Sequence, residues 1–304
     1  MESKYSIRDL EHLTGVKAHT IRVWEQRYEI VTPQRTDTNI RYYKDQDLKR
    51  LLNVAVLVHG GMKISKVAEM SDAERNALVL DASKYQGNHE SQINGLKIAM
   101  LEFNENLFER ILTNSMATIG SEQTFSKIIG GLIQQIGILW QTNTISVAHE
   151  HFASNLIRQK LYVAIDDVMG TMQTAGEKTY LLYLPADELH ELGLLYLSYL
   201  LQNAGNRVIY LGQSVPLEYL FEVMNQIHVD SLVSIFTTYP YKDDTLKYFD
   251  AASKLLGDRK VDWVVGGRQL TDLDLSGIDK RFTVKSDVMS IKDHLFANVE
   301  ARRV

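Results

Sequence analysis

Apolar residues recur at helical spacing through the first seventy or so positions of the chain. In SIRDLEHLTG, Ile7, Leu10 and Leu13 share one face, Ser6 stands where an N-cap is needed, and Gly15 stands where the helix should stop. KAHTIRVWEQRY resumes with Ile21 and Trp24 on one face. Two short helices with a glycine in the turn predict a helix-turn-helix. The polar loop TPQRTDTNIRYY follows, then a third helix in KDQDLKRLLNVAVLVHGG and a fourth in KISKVAEM. From 73 to 176 the pattern stays helical, with no strand-like alternation, and NGLKIAMLEFNENLFERILTNSMATIG, FSKIIGGLIQQIGILWQ and ISVAHEHFASNLIRQKLYVAIDDVMG predict a bundle. After the polar break at Gly176-Glu177-Lys178 the period changes. TYLLYL, RVIYLG, SLVSIF, DWVVGG and RFTV are short apolar runs separated by helical segments at 190–204, 216–227, 241–256 and 287–301. Strands alternating with helices predict a parallel sheet covered on both faces. The predicted fold is multidomain, α plus α/β: a winged helix-turn-helix over 1–72, a four-helix bundle over 73–176, and a flavodoxin-like five-stranded parallel sheet over 177–304.

Composition narrows the chemistry. A chain of 304 residues without cysteine forms no disulfide, thiolate metal site or cysteine nucleophile, which suits a reducing compartment. No apolar run reaches the about 20 residues that span a bilayer, and the first residues lack a signal-peptide core, so the expectation is a cytoplasmic protein with no membrane partner. The net charge is -5, but it is unevenly spread. Residues 1–72 hold 12 Lys and Arg against 10 Asp and Glu, and the remainder holds 21 against 28. Only the N-terminal segment suits nucleic acid, through placed cations more than bulk charge.

A recognition helix needs donors near its N-terminal end, and a wing needs cations over phosphates. Lys17, His19, Thr20 and Arg22 meet the first demand, and Arg35, Arg41, Tyr42 and Tyr43 the second. YSIRDLEHLTGVKAHTIRVWEQRY, TPQRTDTNIRYY and DQDLKRL, in that order and spacing, resemble the DNA-binding domain of MerR-type transcription regulators. The resemblance implies a dimer on a double-stranded operator, with contacts at Thr20, Arg22, Arg35, Arg41 and Tyr42 and Trp24 in the core. The wing departs from the family in having Asp37-Thr38-Asn39 where a glycine usually precedes the arginine; Asn39 tolerates a left-handed backbone, so the turn is expected to survive.

His190 follows the first strand of the sheet at its carboxyl end, where open α/β sheets bind ligands. Glu188 stands two residues upstream, where it can accept an imidazole N–H and fix the tautomer. Gly193 allows close approach at the helix start, and Ser234 and Gly266-Gly267 bring small residues to the same edge, predicting a slot beside the sheet. The set resembles the cobalamin-binding domain of methionine synthases and mutases, whose pattern runs Asp-x-His-x-x-Gly, Ser-x-Leu, Gly-Gly. Here it reads Glu188-Leu189-His190-Glu191-Leu192-Gly193, Ser234-Ile235-Phe236 and Gly266-Gly267, with Glu for Asp and Phe for Leu. The resemblance implies His190 as lower axial ligand to cobalt and a nucleotide tail lodged in a slot lined by Ser234 and the glycines.

Trp140 is followed after nine residues by Glu150-His151. Trp-x9-Glu-His resembles the upper-face motif of the CarH-like and LitR-like photoreceptor regulators, which join a MerR-type reader to a bundle and a cobalamin domain. This resemblance implies that Trp140, Glu150 and His151 meet adenosylcobalamin on its adenosyl side, and that the protein is a light-responsive repressor whose homo-oligomer, dimer or tetramer, is set by the cofactor. In the light receptors a histidine after the Trp takes the upper cobalt position once light breaks the cobalt–carbon bond; this chain has Gln141. His149, Glu150 and His151 do not make a zinc site, because neighbours two apart on a helix face different ways. Two further classes remain open on the residues: a cobalamin-carrying subunit of a mutase or methyltransferase, which would need a catalytic barrel from another chain, and a DNA-binding regulator that keeps the cobalamin fold but answers to another ligand or a protein antagonist.

Overall fold

Alternating strand and helix patterns, local capping and one all-round buried helix account for most of the architecture. The computed structural model describes residues 4–36, 38–82, 89–141, 145–169 and 178–300. The chain forms two compact units, Met1–Ile157 and Arg158–Val304.

In the first unit, α1 (Ile7–Thr14) opens on a capping box in which the Ser6 hydroxyl accepts from the Asp9 amide and the Asp9 carboxylate accepts from the Ser6 amide. Gly15, with φ 71°, ends it in the left-handed region. Then come α2 (Ala18–Tyr28), a two-stranded wing of β1 (Gln34–Arg35) and β2 (Arg41–Tyr42), α3 (Asp45–His59) and α4 (Ile64–Ala68). Ile21 and Trp24 are buried, as their spacing predicts. Asn39 closes the wing with φ 62°, its amide donating to the Thr36 carbonyl at 2.8 Å, so the turn survives without glycine; Asp37 lies outside the described residues. Tyr5 and Tyr43 exchange two 2.9 Å backbone hydrogen bonds that fasten the chain start to the wing base.

The bundle follows as α5 (Asp72–Ala82), α6 (His89–Leu101), α7 (Glu105–Ile119), α8 (Ser121–Gln123), a π-helical stretch at Thr124–Ile129, α9 (Gly130–Gln141) and α10 (Val147–Met169). Every residue of α6 from Gln92 to Met100 is buried, because α3, α7 and α9 surround it. Burial on all sides forces its polar residues to find partners. Lys97 donates from Nζ to the Leu13 carbonyl at the end of α1, 2.5 Å away, and so fastens the helix-turn-helix to the bundle. Burial pulls the Lys97 ammonium down to about 8, with Glu90 opposing.

In the second unit, β3 (Thr179–Pro185), β4 (Arg207–Val215), β5 (Ser231–Ile235), β6 (Asp262–Gly266) and β7 (Phe282–Lys285) form one parallel sheet in the order β4-β3-β5-β6-β7. The crossover helices are α11 (Leu192–Asn203), α12 (Leu217–Gln226) and α13 (Thr245–Leu256), and α14 (Val288–Glu300) follows the last strand. Tyr180, Leu182, Leu184, Val233 and Ile235 pack with α11 and α14, while Leu181, Tyr183, Leu232 and Phe236 pack with α12 and α13. Each such side chain contributes about 1.5–3 kcal/mol by leaving water. Strand order reverses at β3, so the crevice beyond the carboxyl ends of β3 and β5 is the switch point where such sheets bind ligands. Among the described residues no helix is long and apolar enough to cross a membrane.

Candidate functional site

Two arrangements stand out, one in each unit. On the first unit Arg22 of α2 and the wing residues Arg35 and Arg41 converge, together with Asn39 and Tyr43, on a recess of about 320 Å³. Arg8 of α1 joins them; the sequence reading missed it, because its position on the first helix carries no wing or recognition-helix signal. The wing is built from its own side chains. Arg35 donates to the Asn39 side-chain oxygen at 2.6 Å, and the Tyr42 hydroxyl donates to Gln34 at 2.9 Å while its ring receives the Lys4 ammonium at 4.9 Å. Arg41 lies 3.9 Å from Glu25, whose other oxygen accepts the Tyr43 hydroxyl. Four guanidinium groups beside one carboxylate make this recess positive, the electrostatics that a phosphate backbone seeks. Lys17 is exposed and paired with Glu11 at 3.2 Å, and His19 and Thr20 lie on the first turn of α2, outside the recess lining.

On the second unit the chain leaves β3 through a tight turn, with Asp187 at φ 67°, and lays residues 187–190 against the end of β4. The Ser214 amide donates to the Glu188 carbonyl at 3.2 Å, the Gln213 side chain to the Leu189 carbonyl at 2.6 Å, and the Asp187 amide to the Ser214 hydroxyl at 3.1 Å. This holds Glu188 inward, fully buried, with His190 outward and its side chain 58% exposed. His190 Nδ1 meets Glu188 Oε1 at 2.6 Å, and the His190 amide donates to the same oxygen at 3.0 Å. Glu188 Oε2 collects the amides of Thr237, Thr238 and Tyr239 at 2.9, 2.6 and 3.0 Å, and the Thr238 hydroxyl reaches both carboxylate oxygens. Burial alone would raise the Glu188 carboxyl, but the hydrogen bonds from His190 and the amides outweigh it and hold the group at about 2. Glu188 therefore stays an anion across ordinary pH. It holds the imidazole by Nδ1 and so fixes the ring. Thr238 was not visible in the sequence, since it comes from the loop after β5, 48 residues downstream.

The small residues have a different setting from the predicted slot. A Cβ on Gly193 would lie 2.8 Å from Val288 Cγ2 and 3.0 Å from Ile235 Cδ1, and one on Gly266 would lie 2.8 Å from Ile291 Cδ1. These glycines let α14 close on the sheet, and Ile235, Val288 and Ile291 fill the space beside them. Gly267, at φ 126°, lies against the Phe236 carbonyl. Ser234 is fully buried and shares the strand face of Leu232 and Phe236, beside the Tyr183 phenol. The structure thus brings Glu188 and His190 together with Thr238, and puts Ser234 on the face opposite Gly193.

On α10, Glu150 meets His151 Nδ1 at 2.6 Å and accepts the Ser154 hydroxyl at 2.5 Å, with the His151 side chain 70% exposed. His149 instead turns back to the Ser146 hydroxyl at 2.9 Å and stacks on Phe103 at 4.6 Å. Trp140 lies in α9, and its side chain, like that of Gln141, is outside the described residues.

Comparison with known proteins adds to this geometry. The family model described as MerR HTH family regulatory protein matches residues 5–74, and the one described as B12 binding domain matches residues 92–165. The chain is 29% identical over 223 residues to the HTH-type transcriptional repressor CarH of Myxococcus xanthus, covering 71% of this chain and 73% of that protein. It is 28% identical over 232 residues to the HTH-type transcriptional repressor CarA of the same organism, covering 76% and 75%. Among solved structures, the monomethylamine corrinoid protein of Methanosarcina barkeri superposes with a TM-score of 0.56 at 12% identity, covering 69% of this chain and all of that one, a likeness of fold alone.

Proposed function

We infer that this chain, which joins a MerR-type helix-turn-helix to a B12-binding domain, is a transcriptional regulator that holds adenosylcobalamin through His190 and operator DNA through the face of α1, α2 and the wing. The observation that carries the reading is the His190 imidazole at the switch-point edge, oriented by a buried carboxylate that backbone amides and the Thr238 hydroxyl fix in place. Imidazole suits cobalt, and a preset ring loses little freedom on ligation.

When bound, adenosylcobalamin supplies a cobalt–carbon bond that light can break. The protein's own residues do the rest. His190 would offer its imidazole to the cobalt, and Glu188 and Thr238 hold its ring. Gly193, Gly266 and Gly267 are the positions that would take the nucleotide tail, which requires Ile235, Val288 and Ile291 to give way, while Ser234 lies on the other face of the sheet. Trp140, Glu150 and His151 are assigned to the adenosyl side. Arg22, Arg35, Arg41 and Arg8 neutralise operator phosphates, with Lys17, His19, Thr20 and Tyr42 beside them. The cofactor shifts a homo-oligomer, dimer or tetramer, toward the DNA-gripping form only as far as it binds the two arrangements unequally. Repression is the outcome supported by the names of the two relatives.

The packing against Gly193 and Gly266 favours one alternative, a regulator that keeps this fold and senses another ligand. Size-exclusion chromatography with adenosylcobalamin separates the readings. The cofactor reading expects a larger species in the dark than without cofactor, and a return to the smaller one after illumination. A size that ignores the cofactor favours the alternative; a cofactor-dependent size that ignores light removes the photoreceptor role.

A further inference from the structure

Glu191 follows His190 directly, stands at the N-cap of α11 and is buried. A carboxylate taken from water needs compensation. It is met by two other elements. Arg158 of α10 brings Nε to 2.7 Å from Glu191 Oε1, and the Tyr210 phenol of β4 donates to Glu191 Oε2 at 3.1 Å. The Arg158 side chain is itself only 29% exposed, so this ion pair is largely shielded, unlike the chain's surface pairs. Burial, then the Glu191 charge, pushes the Tyr210 phenol far above its ordinary range, leaving it a donor at any physiological pH.

The position of this cluster gives it meaning. Arg158 sits on the same continuous helix as Glu150 and His151, eight and seven residues further along, which is about 12 and 10 Å of axial rise. Glu191 is the next residue in the chain after His190. We propose that Arg158, Glu191 and Tyr210 are positioning residues that lock α10 to the loop carrying His190, so that ligation at His190 and the seating of α10 are coupled. The lock itself stands on the contacts; the coupling rests on His190 being the corrinoid ligand. Removing Arg158 leaves a buried carboxylate without its cation, so the lock opens, while replacing both partners by apolar residues leaves no charge behind.

The test uses the full chain and two readouts. Without cofactor, hydrogen–deuterium exchange follows the amides of residues 159–169. Arg158→Met is expected to speed their exchange about tenfold, with β3 and β5 amides unchanged, and Arg158→Met with Glu191→Met is expected to bring exchange back toward wild type. Tyr210→Phe removes one donor at constant shape and is expected to give a smaller rise, about threefold. Unchanged exchange at 159–169 in both single variants overturns the lock. With hydroxocobalamin titrated against each protein, the cobalt–imidazole absorbance is expected to form with about tenfold weaker affinity in Arg158→Met and to recover in the double variant. Equal affinity in wild type and Arg158→Met overturns the coupling. Absence of that spectrum in wild type refutes His190 as the ligand, and the coupling with it, while the exchange result still decides the lock.

Discussion

Lys97 is a buried cation that donates to the last-turn carbonyl of another helix. In the unfolded chain its ammonium titrates at 10.5, and in the folded unit burial brings it down to about 8. The unfolded state therefore binds the proton more tightly, and stability rises with pH between about 8 and 10.5, on the order of 3 kcal/mol across the window, with the full penalty present below 8. Chemical unfolding of wild type and Lys97→Met at pH 7.5 and 9.5 checks this. The wild type is expected to gain stability relative to the variant as pH rises, and parallel behaviour of the two proteins contradicts it. Residue-scale features of this kind divide by sequence distance. Glu188 and His190 were legible because they stand two positions apart and the strand before them places the pair at a sheet edge. Thr238, Arg158 and Tyr210 were not, because only the tertiary fold brings them to that loop. Arg8 was illegible for a similar reason, since its recess is formed by three elements.

At the scale of elements, periodicity found all five strands of the sheet and the four helices that flank it, because β3, β5 and β6 are buried on both faces and read as continuous apolar runs, while β4 and β7 at the edges are only partly buried. The wing turn was legible through Asn39, which takes the left-handed backbone at φ 62°. Glycines were legible as sites of close approach but not as to what approaches. Gly193 and Gly266 lie against α14, and that helix is too far along the chain for spacing to disclose it. Gly267 is the strictest of the three, since at φ 126° its Cβ would fall 2.4 Å from the Phe236 carbonyl oxygen, on backbone that has no flexible end to yield. Gly267→Ala is expected to destabilise the second unit by at least about 2 kcal/mol, read as a fall in urea midpoint at constant slope. A loss within experimental error would mean that the β5 and β6 ends are not held together as described.

For the whole molecule, the charge distribution and the domain order carry the same message. The segment with a cationic excess forms the arginine-lined recess, and the acidic remainder includes the sheet that bears the histidine. The helix-turn-helix and the bundle helices α5 to α9 share one unit, tied through α3, α6 and the Lys97 contact, so a change in the bundle has a direct route to the reader. What links that bundle to the sheet is α10, which begins in one unit and ends in the other. All of this becomes regulation only if a corrinoid is ligated at His190. The decisive measurement is the absorbance spectrum of adenosylcobalamin titrated in the dark with wild type and with His190→Ala. Saturable formation of a cobalt–imidazole spectrum in wild type, lost in His190→Ala while circular dichroism stays unchanged, is the predicted result. The same spectrum in both proteins, or a free-cofactor spectrum in wild type at saturating concentration, would contradict the ligation on which the regulatory reading depends.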